Sequence, residues 1–415
     1  MTARRIPRRV IPRRVISRRV TAPVNEFARY LRTETVGGVV LLAAMAVALI
    51  WANSPWGDVY TALRDLRVGP AALHLDLTIG QWATDGLLAI FFFVVGLELK
   101  RELVVGELSS LSQALLPVAA ALGGMVVPAL VTLVLAYGTP GIEKAWAIPV
   151  ATDIAFALGV LALAGSALPV TARVFLLGLA VADDLGAIVV IAVVFSSGLN
   201  VLALLVAAAV AASYWWLQRR RVRAWWLYVP LAVLMWAAVH EAGVHATIAG
   251  VVLGLLTRVR PDDDEEHAPA VRLEHRLQPW SAGLCVPVFA LFAAGVPVGA
   301  AALRTVFTEP LPLAVLTALL VGKFVGILGA AWLVITLTPA GRPRGLSWRD
   351  MAAVSTLGGV GFTVSLLISE LSLEGEALES AKAAVLFASA IASLLGAALL
   401  VRRGRAHSRP DAPES

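Results

Sequence analysis

The chain has 415 residues, 59% of them hydrophobic and 15% charged, against about 45–50% and 25% in soluble domains. Its charges are clustered, so the stretches between clusters are long and apolar enough to span a bilayer, which excludes an ordinary soluble enzyme. The net charge of +6 comes from short basic runs flanking apolar segments, the pattern of cytoplasmic membrane loops rather than of nucleic-acid binding. One cysteine, Cys285, excludes an internal disulfide and a cysteine metal cluster, and its apolar neighbours make it a packing residue.

The N-terminus repeats a short basic unit, Arg4-Arg5-Ile6-Pro7, Arg8-Arg9-Val10-Ile11-Pro12, Arg13-Arg14-Val15-Ile16 and Arg18-Arg19-Val20. It superficially resembles a twin-arginine export signal, but Glu26, Arg29, Arg32 and Glu34 intervene where an apolar core should come next. Residues 1–34 therefore read as a disordered basic cytoplasmic tail suited to anionic lipid. Residues 35–402 read as a single transmembrane domain, and 403–415 as a second disordered cytoplasmic tail.

Apolar segments one to twelve are predicted at roughly 36–53, 80–99, 112–137, 146–163, 170–196, 200–217, 224–239, 244–257, 281–300, 311–337, 350–370 and 381–401. The fold class is thus all-α and polytopic, with about twelve transmembrane helices. An even number puts both termini on one side, and the basic turns (Lys100-Arg101, Arg173, Arg219-Arg220-Arg221, Arg258, Arg342, Arg402-Arg403) make that side the cytoplasm. Between Arg223 and Arg258 the chain must cross out and back in about 34 residues, so segments seven and eight are short. The external loop 54–79 is long, and Leu73 to Ile79 alternates like a half-exposed strand after a Gly69-Pro70 turn. The run from Asp262 to Glu266 reads as solvated charge.

Charge at mid-bilayer costs roughly 2.5–3.5 kcal/mol per Asp or Lys and needs a reason. Asp153 lies in the middle of segment four, Asp183 and Asp184 well inside segment five, and Lys323 in segment ten, all at similar depth. Adjacent aspartates on a helix point about 100° apart, so the pair faces two partners at once. Two close, desolvated carboxylates resist joint ionisation unless a cation compensates, so protons and a hard cation such as Na⁺ or Li⁺ would compete for the same oxygens, Thr152 included. A buried Asp–Lys pair that only locks helices would explain one carboxylate and leave two over.

Segments four and eleven look interrupted, by Pro149-Val150-Ala151-Thr152-Asp153 and by Gly358-Gly359-Val360-Gly361-Phe362-Thr363. Paired broken segments point to a transporter's binding site, although three glycines alone also suit close helix packing. Asp153 and Lys323 are placed to offset the partial charges of the half-helix ends. At the cytoplasmic end of segment two, Glu98 and Glu102 share a helix face, as an acidic mouth or as partners of Lys100 and Arg101. Glu274 near the start of segment nine is similarly open, and Asp85 is placed to line an outward funnel or to reach water. His240-Glu241 with His245 lacks the zinc-protease spacing, because position 244 is Val.

These motifs resemble those of the NhaA family of sodium/proton antiporters. They are Ala147 to Val160 around Pro149 and Asp153, Asp183-Asp184-Leu185-Gly186-Ala187-Ile188, Gly96-Leu97-Glu98 with Lys100-Arg101-Glu102, Gly243-Val244-His245-Ala246-Thr247, and Gly359-Val360-Gly361-Phe362-Thr363. The resemblance covers about residues 25 to 402. It implies inverted repeats with segments four and eleven unwound at mid-membrane, and electrogenic export of Na⁺ or Li⁺ against two entering protons, activated at alkaline pH. It implies that Asp183 and Asp184 bind Na⁺ and protons, that Asp153 and Thr152 sit at the first break, and that Lys323 pairs with Asp183. It further assigns Glu98, Glu102, Glu274 and His245 to the pH response, Gly358, Gly359 and Gly361 to the second break, and the loop around 73–79 to a homodimer. No cofactor is implied beyond the transported Na⁺, Li⁺ and H⁺, and the expected partners are lipid and a second copy, with no nucleic acid. The expected location is the bacterial cytoplasmic (inner) membrane. One departure is Ala293 in segment nine, where many relatives place an Asn, which bears on the pH profile more than on exchange. A cation channel or a different proton-coupled transporter using the same acidic pocket remain the alternatives.

Overall fold

A computed structural model describes residues 36–70, 75–165, 167–263, 265–338, 341–343 and 345–407. The expected N-terminal tail, residues 73 and 74 of the expected strand, and positions 408–415 lie outside them. Nearly all regular structure is helical, as expected where hydrocarbon offers the backbone no hydrogen-bond partner.

Segment one, Val36–Ala52, bends by 115° into the short helix Gly57–Asp65. A small hairpin, Arg67–Val68 paired antiparallel with Leu77–Thr78, closes the loop between segments one and two. Segment two runs Ile79–Val104, starting from a capping box between Thr78 and Gln81. Segment three is Leu111–Leu135, segment five Val170–Val194 and segment six Val201–Arg219. Segments seven and eight, Trp225–Glu241 and Thr247–Leu256, are short as the spacing of Arg223 and Arg258 requires. The amphipathic helix Pro269–Trp280 leads into segment nine, which ends with Val286–Ala293. Segment ten is Pro310–Leu337 and segment twelve Gly375–His407.

Among the described residues seven helices are long and apolar enough to cross a membrane by themselves, and up to nine if each bent pair is one span. The remaining segments fall short of a full span because they are bent or broken or, like seven and eight, shortened as their flanking arginines require. Broken segment four comprises the 3₁₀ turn Ile148–Val150 and the helix Ile154–Ala164. Broken segment eleven comprises Trp348–Leu357 and Phe362–Ser372, bent by 47°. Segments three to five and ten to twelve therefore share one plan of long helix, broken helix, long helix. The triads are offset by an odd number of segments, so they traverse in opposite senses, as inverted repeats do.

Segments three and ten pack backbone to backbone. A methyl at Gly123 would strike the Gly326 carbonyl, and one at Gly326 the Gly123 carbonyl, so only glycine permits the approach. Outward faces stay apolar, as at Leu122, Val126, Val193, Leu202 and Leu394, and are suited to lipid. Two apolar clusters meet at the breaks, one holding Ala151, Val360 and Phe362 and the other Ala157, Ile327 and Leu357.

Two expectations need correction. The last helix continues to His407, past the expected tail boundary at 403, because Arg403 and His407 both reach the buried Asp350. Within the Asp262 to Glu266 run, Asp262 and Glu265 are not free in solvent. Asp262 meets Arg258 at 2.7 Å, and Glu265 is enclosed by Arg258, Arg272 and Arg223. Arginines from both neighbouring turns converge there, which spacing along the chain could not reveal.

Candidate functional site

The site grows out of the two breaks. Pro149 at the 3₁₀ turn and the extended Ala151 and Asp153 open segment four, leaving backbone groups without helical partners. The opposite break answers them: the Asp153 N–H donates to the Val360 carbonyl at 2.7 Å, and the Thr152 hydroxyl donates to the Gly358 carbonyl at 3.0 Å. Gly359 lies so close to segment ten that an added methyl would sit 2.6 Å from the Leu319 carbonyl. The free amides of Gly361 and Phe362 donate to the Ser389 hydroxyl of segment twelve at 3.0 and 3.2 Å.

Asp153 caps both restarted helices. Its carboxylate accepts from the Phe156 N–H at 3.0 Å, the Thr363 N–H at 3.2 Å and the Thr363 hydroxyl at 2.7 Å. Two helix N-termini thus place partial positive charge against one carboxylate. Lys323 does the reverse, donating at 2.5 Å to the Val150 carbonyl at the end of the first half of segment four. The acid and the base each stand at the helix ends that favour them.

Lys323 is fully buried and also donates to Thr152 Oγ1 at 3.0 Å and to both Asp183 oxygens, at 3.0 and 2.8 Å. One residue further along the helix, Asp184 points elsewhere. It is buried, and its Oδ1 has no hydrogen-bond partner. The carboxylates of Asp183, Asp153 and Glu98 all repel it, while Lys323 attracts it. An unpartnered buried oxygen among like charges demands a proton or a cation. The four mid-segment charges picked out in the sequence therefore converge in one place. Both carboxylate oxygens of Asp153 and of Asp183 accept from protein donors, and Lys323 holds Asp183.

Segment ten reaches Lys323 through a π-helical turn, Ala318–Gly322. Such turns accompany functional sites because the extra residue rotates the downstream part of the helix. Neither this turn nor those at Trp82–Leu87 and Ser281–Cys285 leaves a signature in the apolar pattern. Thr363 is a site residue that the sequence presents only as part of a motif. Its hydroxyl just past the glycines was the available signal.

The remaining expected residues divide between the two ends of the bundle. At the arginine-rich end Glu274 meets Arg101 at 2.7 and 3.0 Å, and Glu102 lies buried beside the same guanidinium at 3.8 Å. Burial pushes the Glu274 carboxyl above its ordinary value, with Arg101 opposing the shift. Glu98, half-buried on the same helix face, reaches Asp184 electrostatically. At the far end His245 Nδ1 is 3.7 Å from Asp85, so His245 is remote from the other three residues assigned to the pH response. Ala293 is buried in segment nine. Of the second-break glycines, Gly358 and Gly359 abut segment ten and Gly361 abuts Ser365.

A family model described as Na⁺/H⁺ antiporter 1 matches residues 28–400. The Na⁺/H⁺ antiporter NhaA 1 of Saccharopolyspora erythraea is 66% identical over 93% of this chain and 94% of its own length. The Na⁺/H⁺ antiporter NhaA of Nocardia farcinica is 61% identical over 95% of each. The Na⁺/H⁺ antiporter NhaA 2 of Rhodococcus jostii is 61% identical over 92% of this chain and 94% of its own. With its helices long and apolar enough to cross a membrane, this multi-pass membrane protein belongs to the Na⁺/H⁺ antiporter 1 family, that of the NhaA antiporters.

Proposed function

We propose that the protein is a secondary transporter that exports Na⁺ or Li⁺ in exchange for external protons, with Asp184 as the residue that trades one for the other. The observation that carries this reading is the asymmetry of the doublet. Asp183 is held by Lys323, while the buried Asp184 Oδ1 has no partner. A proton satisfies that oxygen in one state and a cation in the other, so the two compete. When a cation draws Asp183 as well, Lys323 is released from it. Left buried without its counter-charge, Lys323 gives up its proton, so Asp184 and Lys323 each release one proton as the cation binds, which supports two protons per Na⁺ and net charge movement.

Glu98 and Glu102 would lead the ion from the cytoplasm, and movement about the two breaks would re-expose the site outward. Activation at alkaline pH is supported by Glu274, whose burial delays loss of its proton to higher pH and so delays its full pairing with Arg101. His245 would act from the outer end. The exchange would serve sodium and pH homeostasis across a bacterial cytoplasmic membrane, with both termini in the cytoplasm. The loop 54–79, carrying the small hairpin, would join two copies.

In everted vesicles energised to an inside-acid gradient, added Na⁺ or Li⁺ should collapse ΔpH in wild type, and more so at mildly alkaline than at mildly acidic pH. Asp184→Asn should insert and fold yet show no collapse. Persistent Na⁺-driven proton flux in that variant would sink the assignment of the exchange to Asp184. A membrane-potential-sensitive dye tests the stoichiometry in the same vesicles, since exchange of one proton for one Na⁺ would leave the potential unmoved.

A further inference from the structure

At the end of the bundle opposite the arginine-rich turns, a cavity of about 460 Å³ opens among segments two, nine, eleven and twelve. Asp85 and His245 line it, together with three residues that the sequence pattern does not single out: Thr84, Glu370 and Lys382. Lys382 donates to Glu370 at 2.6 Å and is itself nearly buried, at 7% exposure. The Thr84 hydroxyl donates to the other Glu370 oxygen at 3.0 Å. Asp85 is repelled by Glu370 and lies 3.7 Å from the imidazole Nδ1 of His245.

This arrangement repeats that of the buried crossing. There, a lysine holds one carboxylate beside a threonine hydroxyl, and a second carboxylate nearby has no lysine. Here Lys382 holds Glu370 beside Thr84, and Asp85 stands apart. A further observation points to a ligand. The His245 side chain is only 7% exposed, yet its Nε2 has no hydrogen-bond partner. A buried ring nitrogen in that state calls for water or a hydrated ion.

We propose that this cavity is a second station for the transported cation, formed by Glu370, Thr84 and Asp85 and cleared by Lys382. Among the described residues no three His, Cys, Asp or Glu side chains converge closely enough to hold a metal. The ion therefore rests there with part of its water, which the cavity has room for. Oxygen donors of this kind suit a hard monovalent cation. While the ion is present it shares the negative charge of Glu370 and Asp85. When Lys382 re-forms its pair with Glu370, the ion loses its compensation and leaves. Glu370 is thus an ion-binding residue of the outward path, and the inference rests on the exchange reading above.

The test exploits sidedness. External Na⁺ is offered to right-side-out vesicles running exchange in reverse, and cytoplasmic Na⁺ to everted vesicles. Glu370→Gln should raise the half-saturating external Na⁺ about fivefold, as expected for losing one partly screened charge, and leave the cytoplasmic value within about twofold of wild type. Because Glu370→Gln strands the Lys382 charge, the double variant Glu370→Gln/Lys382→Gln is measured beside it and should show the same one-sided loss. Glu370→Asp should restore most of the external affinity. An unchanged external value in both variants, or equal weakening on the two sides, would overturn the station. Absence of Na⁺-driven flux in wild-type vesicles of either orientation would instead overturn the exchange reading.

Discussion

Two ion-pair networks in this molecule use the same chemistry in opposite surroundings. At the crossing, Lys323 and Asp183 are 0% and 1% exposed and meet at 2.8 Å. At the arginine-rich rim, Glu265 is as buried as Asp183, at 1% exposure, and is gripped by Arg258 at 2.9 Å and Arg272 at 3.1 Å, but the cations that would be left behind face solvent, with Arg272 and Arg223 at 42% and 56% exposure. Water and salt screen the rim, so its network holds turns together at little cost when one member is lost. The crossing has no such screening. Losing one partner there leaves a bare charge in a dry place, and that same intolerance is what forces cation and proton to compensate each other.

Breaking the buried pair from one side should have the largest effect. Lys323→Ala is expected to abolish exchange and to lower stability by about 3–5 kcal/mol, because Asp183 is left uncompensated. Thermal unfolding of the purified protein reads the stability. Replacing both partners, as Lys323→Met with Asp183→Leu, should recover most of the stability and none of the exchange. A double variant as unstable as the single one would show that the pair is not an isolated charge balance.

Thr363→Val comes next. It removes the shortest of the donors to Asp153, the 2.7 Å hydroxyl bond, and leaves the amides of Phe156 and Thr363. A hydrogen bond to a charged group is worth about 1.5–3 kcal/mol. The same unfolding measurement should find a loss in that range, together with slower Na⁺-driven ΔpH collapse.

Glu265→Gln should have the smallest effect, under about 1 kcal/mol and shrinking further as salt is added. Its pH dependence has a definite sign. Burial raises the Glu265 carboxyl, but the Asp262 amide, Arg258 and Arg272 outweigh it and hold the group below its ordinary 4.5. The rim's contribution is therefore fully present above 4.5 and is lost as pH falls through the depressed value. Unfolding of wild type and variant should converge at acid pH. A gap that grows on acidification would mean the sign is wrong.

Much of this was legible in the chain because a membrane makes exceptions conspicuous. Asp153, Asp183, Asp184 and Lys323 stood out against apolar runs, and Pro149 and the glycines at 358–361 marked the breaks. What stayed hidden depends on neighbours distant in sequence. Nothing in residues 183 and 184 says which carboxylate Lys323 takes, since that depends on the facing of segments five and ten. The π turn before Lys323 carries no pattern of its own. Glu370 and Lys382, 12 residues apart across a turn, read as ordinary charges near segment ends until the fold sets them beside Thr84. Glu265 looked solvated for the same reason. The short segments seven and eight were visible in advance, because the distance between flanking arginines is a property of the sequence alone.

The central claim is that Asp184 gives up a proton when the cation binds. The most direct measurement is proton release from purified protein, held unbuffered at mildly alkaline pH, on addition of Na⁺ or Li⁺ but not K⁺. Release is expected in wild type and none from Asp184→Asn, with Asp153→Asn retaining it. Undiminished release from Asp184→Asn would contradict it.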